Sequence, residues 1–338
     1  MGEGQYNLRF EELCKLLQLG EMVRTPEAVT GGLLHRMYAI ETTQGKYAVK
    51  ALNPQVMTRP KAKLNFIHSE QIANRAANHV PAIPAMQFKG NSLQQMDSQY
   101  YLVFDWVEGK SLKPDEINKI HCEKIGAILA DIHMADLSGL GLAKDGLGDV
   151  QPIDWKHYLQ QGQLNKAAWV PILLETADQL CDWHAKANKA VKLLEHDTVI
   201  SHLDLDSKNV LWNHDQPILI DWEASGPINP MQSLTETAIY WSETETGNID
   251  KERFSAFVRG YRKKYGPIQA DWKTVLATGF AGMLGWLDYN LKRSLWMECS
   301  DDKEQRMGTE QVAITLNAIK RYADRISEIE QWLHAESR

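Results

Sequence analysis

The densest chemistry in the chain lies in "SHLDLDSKNV", residues 201–210, where His202, Asp204, Asp206, Lys208 and Asn209 crowd between two runs of β-forming residues. A second apolar run, "PILID", ends in Asp221. "NVLW" and "PILIDW" are joined by the turn-rich "NHDQ", so the pair reads as a β-hairpin. Centred on Asp215, that hairpin sets Val210 against Ile220 and Asn209 against Asp221, with opposed Cβ atoms about 4.5–5.5 Å apart. An amide oxygen and a carboxylate then converge at its mouth. Two oxygen ligands without a full cage suit Mg2+, which keeps waters and takes its remaining ligands from substrate phosphates. Asp204, on the loop leading into the hairpin, reaches the same pocket as base or orienter for a hydroxyl. His202 reads as a hydrogen-bonded brace. Any one of these residues alone is ordinary turn chemistry; their joint order and spacing point to an active site.

Such a loop needs elements to hold it. Asn7 caps a first helix, "LRFEELCKLLQL", which stops at Gly20. "VTGGLLHRMYAIETTQGKYAVKAL" alternates like strands around the turn "TTQG". A helix follows around "NFIHSEQIANRAANHV", ended by Pro81, and "MQFKG" and "YYLVFDWVEG" read as two more strands. After Gly109 the texture turns helical: "CEKIGAILADIHMADL" first, then 170–195, 251–265, 271–298 and 308–334. The class is α+β. A strand-rich lobe over 1–106 precedes a mostly helical lobe over 107–338 that carries the catalytic loop and an acceptor site. The hinge falls near 105–112, and such an arrangement makes a cleft for ligands.

Bulk properties narrow the function. A chain of 338 residues with 24% charged and 43% hydrophobic residues is ordinary for a soluble globular protein. The net charge of −7 argues against a general nucleic-acid binder. Cys14, Cys122, Cys181 and Cys299 lie far apart without a C-x-x-C pair, which suits reduced thiols in a cytoplasmic protein. The start, "MGEGQYNLRF", has no apolar core of a signal peptide, and no apolar run approaches the length of a membrane span.

The spacing His-x-Asp-x-x-x-x-Asn, followed by a strand ending in Asp, is the catalytic loop and metal-binding Asp of the phosphoryl-transfer template. "SHLDLDSKNVLW" and "ILIDWE" resemble the two signature blocks of the aminoglycoside phosphotransferase and choline kinase-like family, relatives of the protein kinases. The resemblance covers about residues 28–225 and is loose in the last third. It implies a bilobal protein-kinase-like fold, with an N-terminal antiparallel sheet lobe and a mostly helical C-terminal lobe. Asp204 then is the catalytic base, and Asn209 and Asp221 hold Mg2+. Lys50 in "YAVK" neutralises ATP phosphates and is held by Glu70 in "IHSEQIANRA". Gly31 and Gly32 bring backbone close to the phosphates. In "LVFDWVEG" the carbonyl of Asp105 and the N–H of Val107 bind adenine, and Phe104 walls the back of that pocket. GTP remains an alternative to ATP.

Departures from protein kinases matter. Trp222 and Glu223 replace Phe-Gly after the metal Asp, and no activation segment follows. The reading is therefore a small-molecule kinase, with no Walker A motif anywhere. Ser233 stands where the family often has an Asp, in doubt as a structural anchor, and Leu203 where relatives have a small residue, tolerable if it packs inward. From Asp221 to Asp250 the chain carries six acidic residues and no Lys or Arg, a field that attracts a cation. Glu223, Trp241, Trp286 and Asp288 are the candidate acceptor contacts, with Trp296 a further aromatic. The acceptor is a small molecule, aminoglycoside- or choline-like; homoserine, sugar and nucleoside-like acceptors stay open, as does the oligomeric state. The rival classes are a nucleotide-binding pseudoenzyme and a metal-dependent hydrolase. Asp206 and Lys208 receive no assigned part in this reading; Lys208 either reaches a phosphate or extends as a solvated side chain.

Overall fold

Alternating residues in the first hundred positions build one antiparallel sheet. A computed structural model of the chain describes residues 6–29, 34–136, 140, 152–299 and 301–337. In chain order the elements begin with α1 (Phe10–Leu17), β1 (Glu27–Val29), β2 (Arg36–Thr42), β3 (Gly45–Ala51), α2 (Pro54–Met57), α3 (Ala62–Ala76), β4 (Gln94–Met96) and β5 (Gln99–Asp105). They continue with α4 (Lys119–Met134), α5 (Trp155–Leu164), α6 (Val170–Leu194), β6 (Val199–Ser201), β7 (Val210–Asn213), β8 (Gln216–Leu219) and β9 (Gly226–Ile228). Last come α7 (Pro230–Ser242), α8 (Lys251–Tyr265), α9 (Trp272–Ser294) and α10 (Asp302–Glu336).

The chain divides into two units: Met1–Lys113 with Ala135–Leu142 and His202–Gly226, and Pro114–Met134 with Ala143–Ser201 and Pro227–Arg338. The first break falls after Lys113. The loop and hairpin at 202–226, which the sequence reading grouped with the helices, belong to the unit that holds the sheet.

In the first unit the strand order is β1-β2-β3-β5-β4. Strand alternation sends Val49, Ala51, Tyr101 and Val103 to one face, where Leu13 and Leu17 of α1 cover them. Leu52, Tyr100 and Leu102 reach the other face and meet Phe66 of α3. β5 is thus buried on both faces, and Lys50, between Val49 and Ala51, is sent to the α3 side. Helix α1 starts later than its sequence suggests: Arg9 occupies the cap position, and the Asn7 N–H donates to Gln99 Oε1 at 3.3 Å.

The second unit is helical. Side-chain caps start its helices: Asn229 accepts from the Met231 and Gln232 N–H groups, Asp250 from Arg253, Asp271 from Thr274 and Asp301 from Glu304. β6 and β9 pair as a two-stranded sheet. Helices α4 and α8 approach closely because Gly126 and Gly260 sit at the crossing; a Cβ on either would run into the Phe257 or Glu123 backbone carbonyl. Gly126→Ala therefore lowers the unfolding free energy by about 3 kcal/mol, an overpacking cost read from the urea midpoint. Ser233 bonds to Ser201 Oγ at 2.9 Å and to His133 Nε2 at 3.2 Å, while His133 Nδ1 lies 2.9 Å from the Tyr261 hydroxyl. Hydroxyls thus provide the anchor at which the family often has an Asp. Among the described residues no helix is long and apolar enough to cross a membrane.

Candidate active site

The site assembles within the first unit, on β3, α3 and the 202–226 segment. β7 and β8 pair with Val210 opposite Leu219 and Asn213 opposite Gln216. The expected register, Val210 with Ile220 and Asn209 with Asp221, is off by one residue. A two-residue turn at His214 and Asp215 closes the hairpin, with His214 in the left-handed region at φ 53°. Asn209 still lies beside the end of β8, because the Ile220 N–H donates to its carbonyl at 3.0 Å. Asp221 follows in a left-handed conformation, φ 62° and ψ 64°. A non-glycine residue there stores backbone strain, which here turns the carboxylate out of the strand line.

That carboxylate meets Lys50, whose Nζ lies 2.7 Å from Asp221 Oδ1 and 2.5 Å from Glu223 Oε2. The Lys50 side chain is 8% exposed. Burial by itself would lower the lysine's pKa; Glu223 and Asp221 together outweigh it and raise it, so the ammonium stays charged. Asp221 is likewise depressed despite its burial, because Lys50 sits on it. His35, buried, accepts the Asn53 N–H on Nδ1 at 2.9 Å, so its Nε2–H faces Glu223 Oε2 at 3.5 Å. Burial, with Lys50 nearby, holds its pKa down to about 3.

The expected Lys50–Glu70 pair is replaced. Glu70 Oε2 accepts the buried Ala85 N–H at 2.6 Å, and burial pushes its pKa up to about 7. Because its folded pKa lies above the unfolded value, the stability it contributes is full below about pH 4.5 and is lost as pH rises through 7. Glu70→Gln keeps an acceptor oxygen for Ala85 and removes the buried charge. The variant is expected to be stabler than wild type by about 3 kcal/mol at pH 8, with the difference gone by about pH 4, in urea unfolding.

Around the loop, His202 is fully buried; its Nε2 lies 3.0 Å from the Ile220 carbonyl and its Nδ1 accepts the Asp204 N–H at 3.4 Å. Burial lowers its pKa to about 4, so it braces as a neutral ring. Leu203 does not pack inward as expected: it is 38% exposed, with φ 63°. Asn209 Nδ2 donates to Asp204 Oδ2 and to the Asp204 carbonyl, both at 2.8 Å. Asp204 is raised by burial, an effect that Lys208 beside it opposes.

The residues fit a magnesium ion. The Asn209 amide nitrogen is spent on Asp204, which turns its Oδ1 away, and Lys50 takes only Oδ1 of Asp221. One amide and one carboxylate oxygen are a hard, incomplete donor set of the kind that Mg2+ completes with water and phosphate. Among the described residues no three His, Cys, Asp or Glu side chains form a metal cage.

At the edge of the sheet, the Trp106 N–H donates to the Lys46 carbonyl at 3.2 Å. Alternation along an antiparallel ladder then turns the Asp105 carbonyl, opposite Tyr47, away from β3. The Val103 carbonyl, of the same parity, takes the Met86 N–H on that side at 2.7 Å. Phe104 packs beside Leu52 and Phe66. Val107 is half-buried just past the strand end. Gly31 and Gly32 lie outside the described residues.

The acceptor candidates scatter. Glu223 is engaged with Lys50 rather than free on a rim. Trp241 is fully buried in the helical unit, with no face for a ligand. Asp288 accepts from the Tyr158 hydroxyl at 2.6 Å and pairs with Lys292 at 2.8 Å, so its charge is already answered. Trp286 lines a cavity of about 400 Å3 with Tyr240, Glu243, Met283 and Arg321. The acidic field is weaker than its residue count implies: Asp250 caps α8, and burial lifts Glu236 to about 7. His35 escaped sequence reasoning; one histidine after a glycine pair carries no signal of its partners.

The model of the phosphotransferase enzyme family matches residues 25–267. The chain belongs to that family. This phosphotransferase is 25% identical over 274 residues to a homoserine kinase of Polaromonas naphthalenivorans (strain CJ2), covering 78% of its own length and 79% of the relative's. Among solved structures, a spectinomycin phosphotransferase in complex with ADP and spectinomycin aligns with a TM-score of 0.65 at 13% identity, over 95% of this chain and 96% of that one. A Plasmodium vivax ethanolamine kinase aligns at 0.57 with 17% identity, over 87% and 82%. The fold is thus the protein-kinase-like one expected.

Proposed function

We propose that this phosphotransferase moves the γ-phosphoryl group of ATP, or of GTP in its place, to the hydroxyl of a small amino alcohol. The observation that carries the reading is the joining of Lys50 to Asp221 and of Asn209 to Asp204 within one unit, in the order the phosphoryl-transfer template requires. Lys50 leaves its carboxylates in part to bind nucleotide phosphates. The Asp105 carbonyl and Val107 N–H take the adenine edge, with Phe104 behind it. Asn209 and Asp221 hold Mg2+, which when bound offsets negative charge on the phosphate oxygens. Asp204 orients the acceptor hydroxyl and receives its proton. Catalysis by these groups is positioning and electrostatics.

The acceptor class is supported by the relatives' names: homoserine and ethanolamine each carry an amine and a hydroxyl. The test is ADP formation from magnesium ATP or GTP across homoserine, ethanolamine, choline, spectinomycin, sugars and nucleosides. Turnover with one amino alcohol, abolished by EDTA, is the expected result. Turnover without nucleotide, or with sugars alone, overturns it.

A further inference from the structure

Resting on that reading, we propose that Lys208, held in place by Asp206, supplies positive charge to the phosphoryl group while it is transferred at Asp204. An exposed lysine in a polar turn ordinarily extends into water. Lys208 instead folds back over its own turn. Asp206 Oδ1 accepts the Lys208 backbone N–H at 2.9 Å, and Asp206 Oδ2 pairs with Lys208 Nζ at 2.8 Å. The same Nζ stands 3.3 Å from Asp204 Oδ1, while Asp204 Oδ2 accepts Asn209 Nδ2. Asp206 thus fixes both ends of Lys208, and the ammonium ends on the oxygen of the base that Asn209 does not use.

An ammonium there makes little sense as an aid to proton abstraction, because it lowers the basicity of the carboxylate beside it. Its position does make sense for the other reactant. In a loose phosphoryl-transfer transition state, charge lies on the three equatorial oxygens of the moving group. A hydroxyl bonded to Asp204 and in line with the γ-phosphorus brings those oxygens next to whatever flanks Asp204. The acceptor oxygen forms its bond to phosphorus as the bond from phosphorus to the β–γ bridging oxygen breaks. The hydroxyl proton passes to Asp204, and ADP leaves with the electron pair. Lys208 is the only Lys or Arg between Lys192 and Lys251, so the whole catalytic segment offers one side-chain cation for this purpose. Lys50 already answers Asp221 and Glu223.

The test compares wild type with Lys208→Met, Lys208→Arg, Asp206→Ala and the Asp206→Ala/Lys208→Met pair. Turnover is read as ADP formed from magnesium ATP, with the acceptor the screen returns and with water alone. Lys208→Met should lower kcat by about 10²-fold, the scale of one lost transition-state donor, and leave both KM values nearly unchanged. Lys208→Arg should recover about tenfold of that loss, since the charge is kept and only its shape differs. Asp206→Ala should be slower than wild type, and adding it to Lys208→Met should cost nothing more, because it acts through the lysine. Lys208→Met with kcat within about threefold of wild type, or a loss confined to KM, overturns the inference. An additive double variant removes Asp206 from it. A wild type that forms no ADP under any condition overturns instead the phosphotransfer reading beneath it.

Discussion

Lys50→Met loses about 3–5 kcal/mol of stability at pH 8, the cost of stripping the partner from buried charge. The side chain is nearly closed to water, and its removal leaves Asp221 and Glu223 facing one another without a cation. Both carboxylates then have folded pKa values above their unfolded ones. Stability from such groups is full at low pH and lost as pH rises, so the deficit shrinks towards pH 5. Urea unfolding of wild type and variant at pH 5 and pH 8 reads this directly. An equal deficit at both pH values would assign the loss to packing of the lysine stem. Nucleotide affinity falls in the same variant, and calorimetry with magnesium ATP measures it.

Asp204→Asn has the opposite profile: a normal fold and a failed reaction. The side chain is 39% exposed and its replacement keeps an oxygen for the Asn209 amide. Loss of the base lowers kcat by about 10²–10⁴-fold, with KM little moved. In wild type the rate falls on the acid side as Asp204 takes up a proton, and that acid limb is missing in the variant. A loss below about tenfold would take the base role from Asp204.

The catalytic loop was legible because its chemistry is written in spacing. Asp204, Asn209 and Asp221 are fixed relative to one another by a short loop and two short strands. The hairpin register was not legible, because "NHDQ" accommodates a turn centred on Asp215 or one centred between His214 and Asp215. The observed two-residue turn puts His214 in the left-handed region, which composition does not reveal. β2, β3, β5 and α3 were readable from alternation and from Pro81; the strand expected at "MQFKG" is only an isolated bridge at Phe88, with β4 at Gln94–Met96 instead, and the partner of Glu70 was not legible. Chain distance places a glutamate near a lysine; it does not show that the buried Ala85 N–H, just after Pro84, claims that carboxylate first. The burial of Trp241 is itself legible in the sequence. Leu234, Ala238 and Trp241 recur at four and three residues along α7, the stripe of a core helix, and all three are fully buried.

The ion pair on Lys50 also sets a timetable. Asp221 lies 171 residues after Lys50, and Leu219 bonds back to the backbone at Pro81 and Ile83. At about 5–20 residues per second, a ribosome delivers those partners roughly 10–30 s after the lysine. Through that interval a nascent chain would have to bury an ammonium without the two carboxylates that contact it in the finished fold, which opposes closure of the sheet around β3. The N-terminal segment therefore waits, open to chaperones and proteases, until residue 221 emerges. Limited proteolysis of stalled nascent chains is expected to cut one ending near residue 200 and to spare one ending far beyond 226.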